Sequence, residues 1–519
     1  MEGQSKDTEK GKGLSKKGRK TKESKNQASI AIRRLWWKIH ARLPNIIPSP
    51  FPDDREYVIE RDEKENIETR VSPNEQLELA CMWGAEVYGP SEIESLYCGL
   101  QNLNWDKDRW RSKDRAVIDW IREQRSYGAE GSYSIGVVSR PGDANWISYD
   151  HQGPLPIGVE YLIVKIYQIS PSLTCVLIAF VFDEEAARQY EKAINTDRRT
   201  TNKRIKGMRG YSILGVEQLK RAAVDDLQIH YRESIVNWFE KNLPGFFCNS
   251  TNGNRLPTAE LITTKCEKLF SEIEERKKET NRWRELFSLG TNPYVWACRT
   301  NPELRFVEKR SADDMRFHVI ASIPTEALSE NDLEHCGGKC RAAYISYCNS
   351  HLSGVLSRFA ALSLLRETRR ELSLQRENLK ASESVRNNAL KILRDAEGFF
   401  GRAGSVPIIA DELAILSNSS HSFRFYCSEF LELYLFGGDL QRRKYKLSYS
   451  FKRLISNNTK KLIVEERATR DIFIQLSNAM STRESIRTQV RMERFTKVAI
   501  AIGMFSALVA LAALLRPGS

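Results

Sequence analysis

The segment HCGGKCRAAYISYCNSH, His335–His351, holds three cysteines and two histidines, in a chain with only ten Cys and seven His. Thiolate and imidazole are zinc ligands, and a structural site needs about four of them converging tetrahedrally at ~2.0–2.3 Å. Cys336, Cys340, Cys348 and His351 are the candidate set, and zinc is the one cofactor the sequence suggests. Cys348 and His351 are three apart, so on a helix they share a face. Cys340 precedes Cys348 by eight positions, ~12 Å along a straight helix. The set can close only if the helix starts after Cys340 and Gly337-Gly338 folds the loop back. The spacing C-x3-C-x7-C-x2-H is not a tight knuckle spacing. A reactive-thiol role and a packing role compete with the metal. Cys340, Tyr344, Tyr347, Cys348, His351, Val355 and Phe359 form one continuous helical face. The sequence therefore predicts a helix that begins before Cys340 and buries this face.

No other stretch carries a recognisable chemical motif. GMRGYSILG has glycines but neither G-x-G-x-x-G nor G-K-[ST], and H-E-x-x-H and G-x-S-x-G are absent. His151 beside Asp150 reads as a loop pair. RRLWW and NRWRELF mix basic and aromatic residues as single-strand binders do, but the apolar run near the C-terminus makes nucleic acid an uneconomical partner. No catalytic residue is assigned, and the motifs point away from an enzyme.

Val498–Leu515, VAIAIGMFSALVALAALL, is an apolar run without a charge. At helical rise it spans roughly 27 Å, close to the ~30 Å hydrocarbon thickness of a bilayer. Its small residues suit close helix–helix approach. Arg491, Arg494 and Lys497 precede it and only Arg516 follows, so the positive-inside rule puts the large N-terminal part in the cytoplasm. The expectation is a single-pass tail anchor.

Length and composition fit several folded units: 519 residues, 41% hydrophobic, 28% charged, net charge +13. Residues 1–28 form a basic, nearly apolar tail expected to be disordered. Within 29–47, Ile32, Leu35, Trp36, Ile39 and Leu43 fall on one helical stripe. That amphipathic basic helix, with Trp36 and Trp37, suits either a membrane interface or the protein's own core. Prolines and charges make 48–73 an extended linker. Scattered single cysteines fit a reducing compartment.

Residues 74–330 read as an α+β domain with an antiparallel or mixed sheet. NEQLELACMWGAEVYG and SEIESLYCGLQNL read as helices. YSIGVV, VEYLIVKIYQI and LTCVLIAFVF read as strands, the last two forming an antiparallel hairpin around Ser170-Pro171-Ser172. The stretches from Gly215 to Asn242 and from Thr258 to Gly290 read as helices, and DDMRFHVIAS as a strand. Residues 341–497 read as a long helical stalk. One helix covers about 341–397 and another runs from near Asp439 into the apolar run. A heptad section, Ile472, Leu476, Ala479, Ile486 and Val490, lies on the second.

The segment NAMSTRESIRTQVRMERFTKVAIAIGMF, Asn478–Phe505, resembles the end of the stalk helix of CorA-type magnesium channels. So does the order of cytosolic domain, long helices and membrane helix. That family implies a Gly-Met-Asn loop and a second transmembrane helix. Here Gly503-Met504 is followed by Phe505 within the apolar run, so no residue role carries over.

The sequence thus reads as a non-enzymatic, membrane-anchored protein whose cytosolic domain senses or binds a partner. The expected partners are the bilayer, another copy of the chain and an unidentified protein. A membrane-attached enzyme with its site in 74–323 and a divergent CorA-like channel or pore subunit are the alternatives.

Overall fold

A computed structural model describes residues 52–107, 116–128, 130–142, 151–204, 211–250, 255–270, 282–287, 294–309, 317–382, 404–433 and 445–514, with isolated positions in 32–39 and 394–401. The chain divides into two compact units.

The smaller unit gathers Met1–Glu78, Arg188–His230 and Ser271–Leu289. Its first element corrects the expected linker: Pro52–Glu68 is a helix, α1. Pro52 stands at its first position, where a missing N–H costs nothing. Its polar residues are used for packing. Asp62 accepts from Thr200 N at 2.7 Å, and the Asn66 amide donates to Arg198 O at 2.8 Å. Lys220 Nζ, also buried, reaches Asn66 O at 3.3 Å. A one-turn helix at Trp283–Phe287 inserts Trp283 and Phe287, the latter against Tyr190 at 5.9 Å. A single helix was expected over Thr258–Gly290. Instead Thr258–Thr264 is a strand, and Trp283–Phe287 is a separate helical turn.

The larger unit gathers Leu79–Ala187, Tyr231–Phe270 and Gly290–Ser519. Its centre is a ten-stranded mixed sheet. In chain order the strands are β1 Leu77–Tyr88, β2 Gly131–Ser139, β3 His151–Gln152, β4 Val159–Ser170 and β5 Leu173–Phe182. The antiparallel pair of β6 Thr201–Arg204 and β7 Tyr211–Leu214 is a separate two-stranded sheet and belongs to the smaller unit. The main sheet continues with β8 Thr258–Thr264, β9 Val295–Cys298, β10 Arg305–Lys309, β11 His318–Pro324 and β12 Phe430–Leu433. The spatial order is β12-β9-β10-β11-β8-β1-β5-β4-β2-β3. The β4–β5 hairpin is antiparallel as expected, whereas β8 and β11 pair parallel.

Central strands buried on both faces read as continuous apolar runs, and all ten residues of β5 are buried. The same double burial explains β1, which the sequence presents as a helix. Leu, Ala, Met and Glu favour helices in isolation, but packing on two faces outweighs that weak preference. Alternation along β1 then sets the neighbours. The Trp83 indole donates to Asn349 Oδ1 at 2.9 Å. Gly84 faces the other way: a Cβ there would meet Ile235 and Phe239 at 2.7 Å. Those two residues lie near the C-terminal end of a helix, Val216–Asn242.

The face carrying Trp83 is covered by the 42-residue helix α2, Arg341–Ser382, which packs on β4 and β5. Tyr167 OH donates to Ser353 Oγ at 2.8 Å. Gly354 allows the Tyr426 ring to lie on the helix, since a Cβ there would sit 2.3 Å from that ring. The buried Arg358 lies over the rings of Tyr426, Phe423 and Tyr167 at 4.7, 5.4 and 5.7 Å. A helix Val406–Ser419, a short helix His421–Ser428 and the 68-residue helix α3, Leu447–Leu514, complete this layer. The first of these is fastened to the hairpin turn by Glu412, which accepts from Ser170 Oγ, Ser172 Oγ and Ser172 N at 2.7–3.0 Å.

The expected domain boundary near 330 is not where the sheet ends, because β12 pairs antiparallel with β9. Residues 341–382 cover the sheet instead of projecting as a stalk.

Two outcomes test this packing. Gly354→Ala forces a methyl into the Tyr426 ring and is expected to destabilise the protein by about 1–3 kcal/mol in denaturant unfolding. Glu86 is fully buried and accepts from the N–H groups of Val87, Phe247 and Cys248 at 2.8–3.0 Å. Burial raises its pKa to about 7, although those donors oppose the rise. Its folded-state pKa lies above its unfolded value, so the fold binds the proton more tightly. Stability is therefore expected to fall by about 3 kcal/mol as pH rises from ~4.5 to ~7. Unfolding measurements across that range should lose this slope in Glu86→Gln.

Candidate functional site

Three elements bring one side chain each to a common point. Cys298 is the last residue of β9 and is 1% exposed. His351 lies on α2, one helical turn beyond Tyr347. Glu429 sits between the helix His421–Ser428 and β12. Strand pairing sets two of these positions. Phe430 is registered opposite Cys298, and Arg299 N donates to Glu429 O at 2.7 Å. The carboxylate therefore emerges beside the thiol. The imidazole is placed from the helix layer, with the Tyr347 ring packed on it at a centroid distance of 4.8 Å.

His351 Nδ1 is 3.2 Å from Glu429 Oε2 and 3.9 Å from Cys298 Sγ. The three ligand atoms all lie within 4.8 Å of one another. Thr300 Oγ1 is 3.1 Å from the same sulfur. Burial by itself raises the Cys298 thiol pKa. Hydrogen bonds from His351, Thr300 and the Asn301 backbone outweigh it, and the net shift is downward. The His351 pKa is raised, first by its hydrogen bond to Cys298, with Glu429 adding to the effect against burial. The buried thiols of Cys81, Cys175, Cys348 and Cys427 are all pushed up by desolvation. Cys298 differs from them because it has an imidazole and a hydroxyl to share its charge. The arrangement can stabilise a thiolate or bind a cation.

The residues singled out in the sequence are distributed differently. The helix starts at Arg341, after Cys340, against the expectation of an earlier start; Cys340 O accepts the first helical bond, from Tyr344 N at 3.1 Å. Gly337 and Gly338 both adopt positive φ, 92° and 90°, and turn the chain there. Cys340 is exposed, Cys336 is half-buried and Cys348 is fully buried. Among the described residues, the group of His, Cys, Asp or Glu whose ligand atoms converge contains His351 but none of these three cysteines. Cys298 and Glu429 are 53 and 78 residues from His351. Both are isolated in the sequence, and no local spacing points to them.

The residues expected at a membrane interface are all exposed where described. Ile32, Leu35, Trp36 and Ile39 are helical and exposed, while Trp37 lies outside the described residues. Arg491, Arg494 and Lys497 are exposed on α3. On that helix Ser485–Leu511 is long and apolar enough to cross a membrane, and no residue of its most apolar stretch is buried inside the protein. No family model matches the chain, and neither a curated protein nor a solved structure matches it.

Within the Cys/His-rich segment, the clearest packing role belongs to Asn349, the acceptor for the buried Trp83 indole. Asn349→Ala leaves that N–H without its partner and is expected to cost about 1–3 kcal/mol. Urea unfolding followed by Trp fluorescence measures it.

Proposed function

We propose that this chain is a non-enzymatic, single-pass membrane protein whose α+β domain faces the cytoplasm and senses or binds a partner. The observation that carries the reading is the change in surroundings along α3. Phe451, Ile455 and Leu462 are buried in the helical layer. Further along the same helix, Val498, Ile502, Phe505, Leu508 and Leu511 are 56% or more exposed. An apolar helical surface of this length stays in water only at a large cost. A bilayer removes that cost, and the helix satisfies its own backbone there. Arg491, Arg494 and Lys497 within two turns before the charge-free run favour the cytoplasmic side for the folded part.

Between these segments α3 presents Ile486 and Val490 to solvent, 54% and 43% exposed. They belong to the heptad row that starts at Ile472, which supports pairing with a second copy. The small residues of the apolar run suit the same contact.

Carbonate-washed membranes from cells expressing the full chain should retain it. The double substitution Ala501→Arg/Leu508→Arg, at about 2.5–3.5 kcal/mol per central charge, should move it to the soluble fraction. Full-length protein found soluble without detergent would sink the reading. Protease protection of the folded part in intact cells fixes the side: digestion from outside would reverse the orientation. Crosslinking in native membranes should give a ladder above the monomer, and a monomer at every crosslinker dose removes self-association.

A further inference from the structure

We propose that Cys298, His351 and Glu429 form a binding site for a zinc-class divalent cation. The proposal is independent of membrane attachment. It rests on the direction in which the three groups face. In a Cys–His–carboxylate catalytic relay the imidazole uses two nitrogens, one toward the thiol and the other toward the carboxylate. Here the carboxylate and the sulfur both approach Nδ1, at 3.2 and 3.9 Å. One nitrogen carries one proton at most and cannot serve two acceptors equally. A cation placed among the three atoms meets all of them.

The spacing suits such an ion. With Zn–S near 2.3 Å and Zn–N and Zn–O near 2.0–2.1 Å, tetrahedral geometry separates ligand atoms by about 3.3–3.6 Å. The two separations from Nδ1 bracket that range, and the sulfur and the carboxylate oxygen lie within 4.8 Å of each other, so closure draws those two groups together around the ion. A sulfur–nitrogen–oxygen set selects against magnesium and calcium, which take oxygen ligands. Thr300 Oγ1, 3.1 Å from Sγ, is placed as an outer-shell donor to the bound thiolate. The His351 and Glu429 side chains remain 20% and 30% exposed, which gives an ion a path in and leaves water for the fourth ligand. Ion binding displaces the Cys298 thiol proton to solvent. The bound ion also ties the end of β9, the start of β12 and helix α2 together.

The full chain, purified in detergent under reducing conditions and stripped with chelator, provides the test. One equivalent of Zn2+ should bind by calorimetry, and Co2+ should give thiolate-to-metal charge-transfer absorption in the near ultraviolet. Cys298→Ser should abolish that band. Glu429→Gln should weaken Zn2+ binding by more than the ~10–100-fold typical of outer-shell changes. Cys340→Ser should alter neither. Glu429 is partly exposed, so Glu429→Gln carries the test if Cys298→Ser does not fold. Binding of less than one equivalent by the unmutated protein overturns the proposal. So does a cobalt band that survives Cys298→Ser, or undiminished zinc affinity in Glu429→Gln. Loss of the band in Cys340→Ser overturns it too, and would assign the metal to Cys336, Cys340, Cys348 and His351.

Discussion

The packing of α2 against β4 and β5 is the contact on which the larger unit depends. That one helix covers the fully buried β5 and its partner β4, carries His351, and forms the surface on which the later helices lie. Its approach to the neighbouring rings is set by Gly354, where the Tyr426 ring occupies the place of a side chain. One turn on, Arg358 is buried among Tyr167, Phe423 and Tyr426. A guanidinium in that setting draws on the ring quadrupoles and on Gly354 O and Ser357 Oγ. Nearer its C-terminal end, Arg369 bonds Asn458 Oδ1 and Glu465 at 2.9 Å, fixing the register of α3.

Several buried polar groups in this protein are held by specific partners, which offsets their desolvation. Glu86 collects three backbone donors. His318 faces Thr258 Oγ1 at 2.9 Å and Glu260 at 3.6 Å across the parallel β8–β11 pair, and burial lowers its pKa although Glu260 opposes the shift. Arg255 pairs with Glu367, and Ser250 with Glu371, along one side of α2. The contacts along α2 pin its register, because a slip by one residue would separate Arg255 from Glu367 and Ser250 from Glu371.

What the sequence revealed follows from the range of the interactions. The β4–β5 hairpin was legible because both strands are β-branched and apolar and a Pro-containing turn joins them. The apolar end of α3 was legible because length and absence of charge are local properties. β1 was hidden by its helical composition, since only the two layers enclosing it make it a strand. β9, β10 and β12 are four or five residues long, too short for a period-2 pattern to stand out. The converging group was half legible. His351 drew attention through the cysteines around it, but its partners come from β9 and from the start of β12. Strand pairing brings Cys298 and Glu429 together, and no spacing within 335–351 encodes that.

α3 leaves the folded domain without a break. Its helical assignment is continuous over 68 residues, so no loop decouples its ends. The early residues Phe451, Ile455 and Leu462 are buried, and Thr459 Oγ1 donates to Ala410 O. Contacts at one end therefore set the helix axis for everything beyond them, within the gentle curvature that long helices allow. At ~1.5 Å per residue, Lys497 lies roughly 75 Å along the helix from Leu447. The interface between α2 and α3, held by Arg369 with Asn458 and Glu465, is thus the contact that sets the course of the apolar segment.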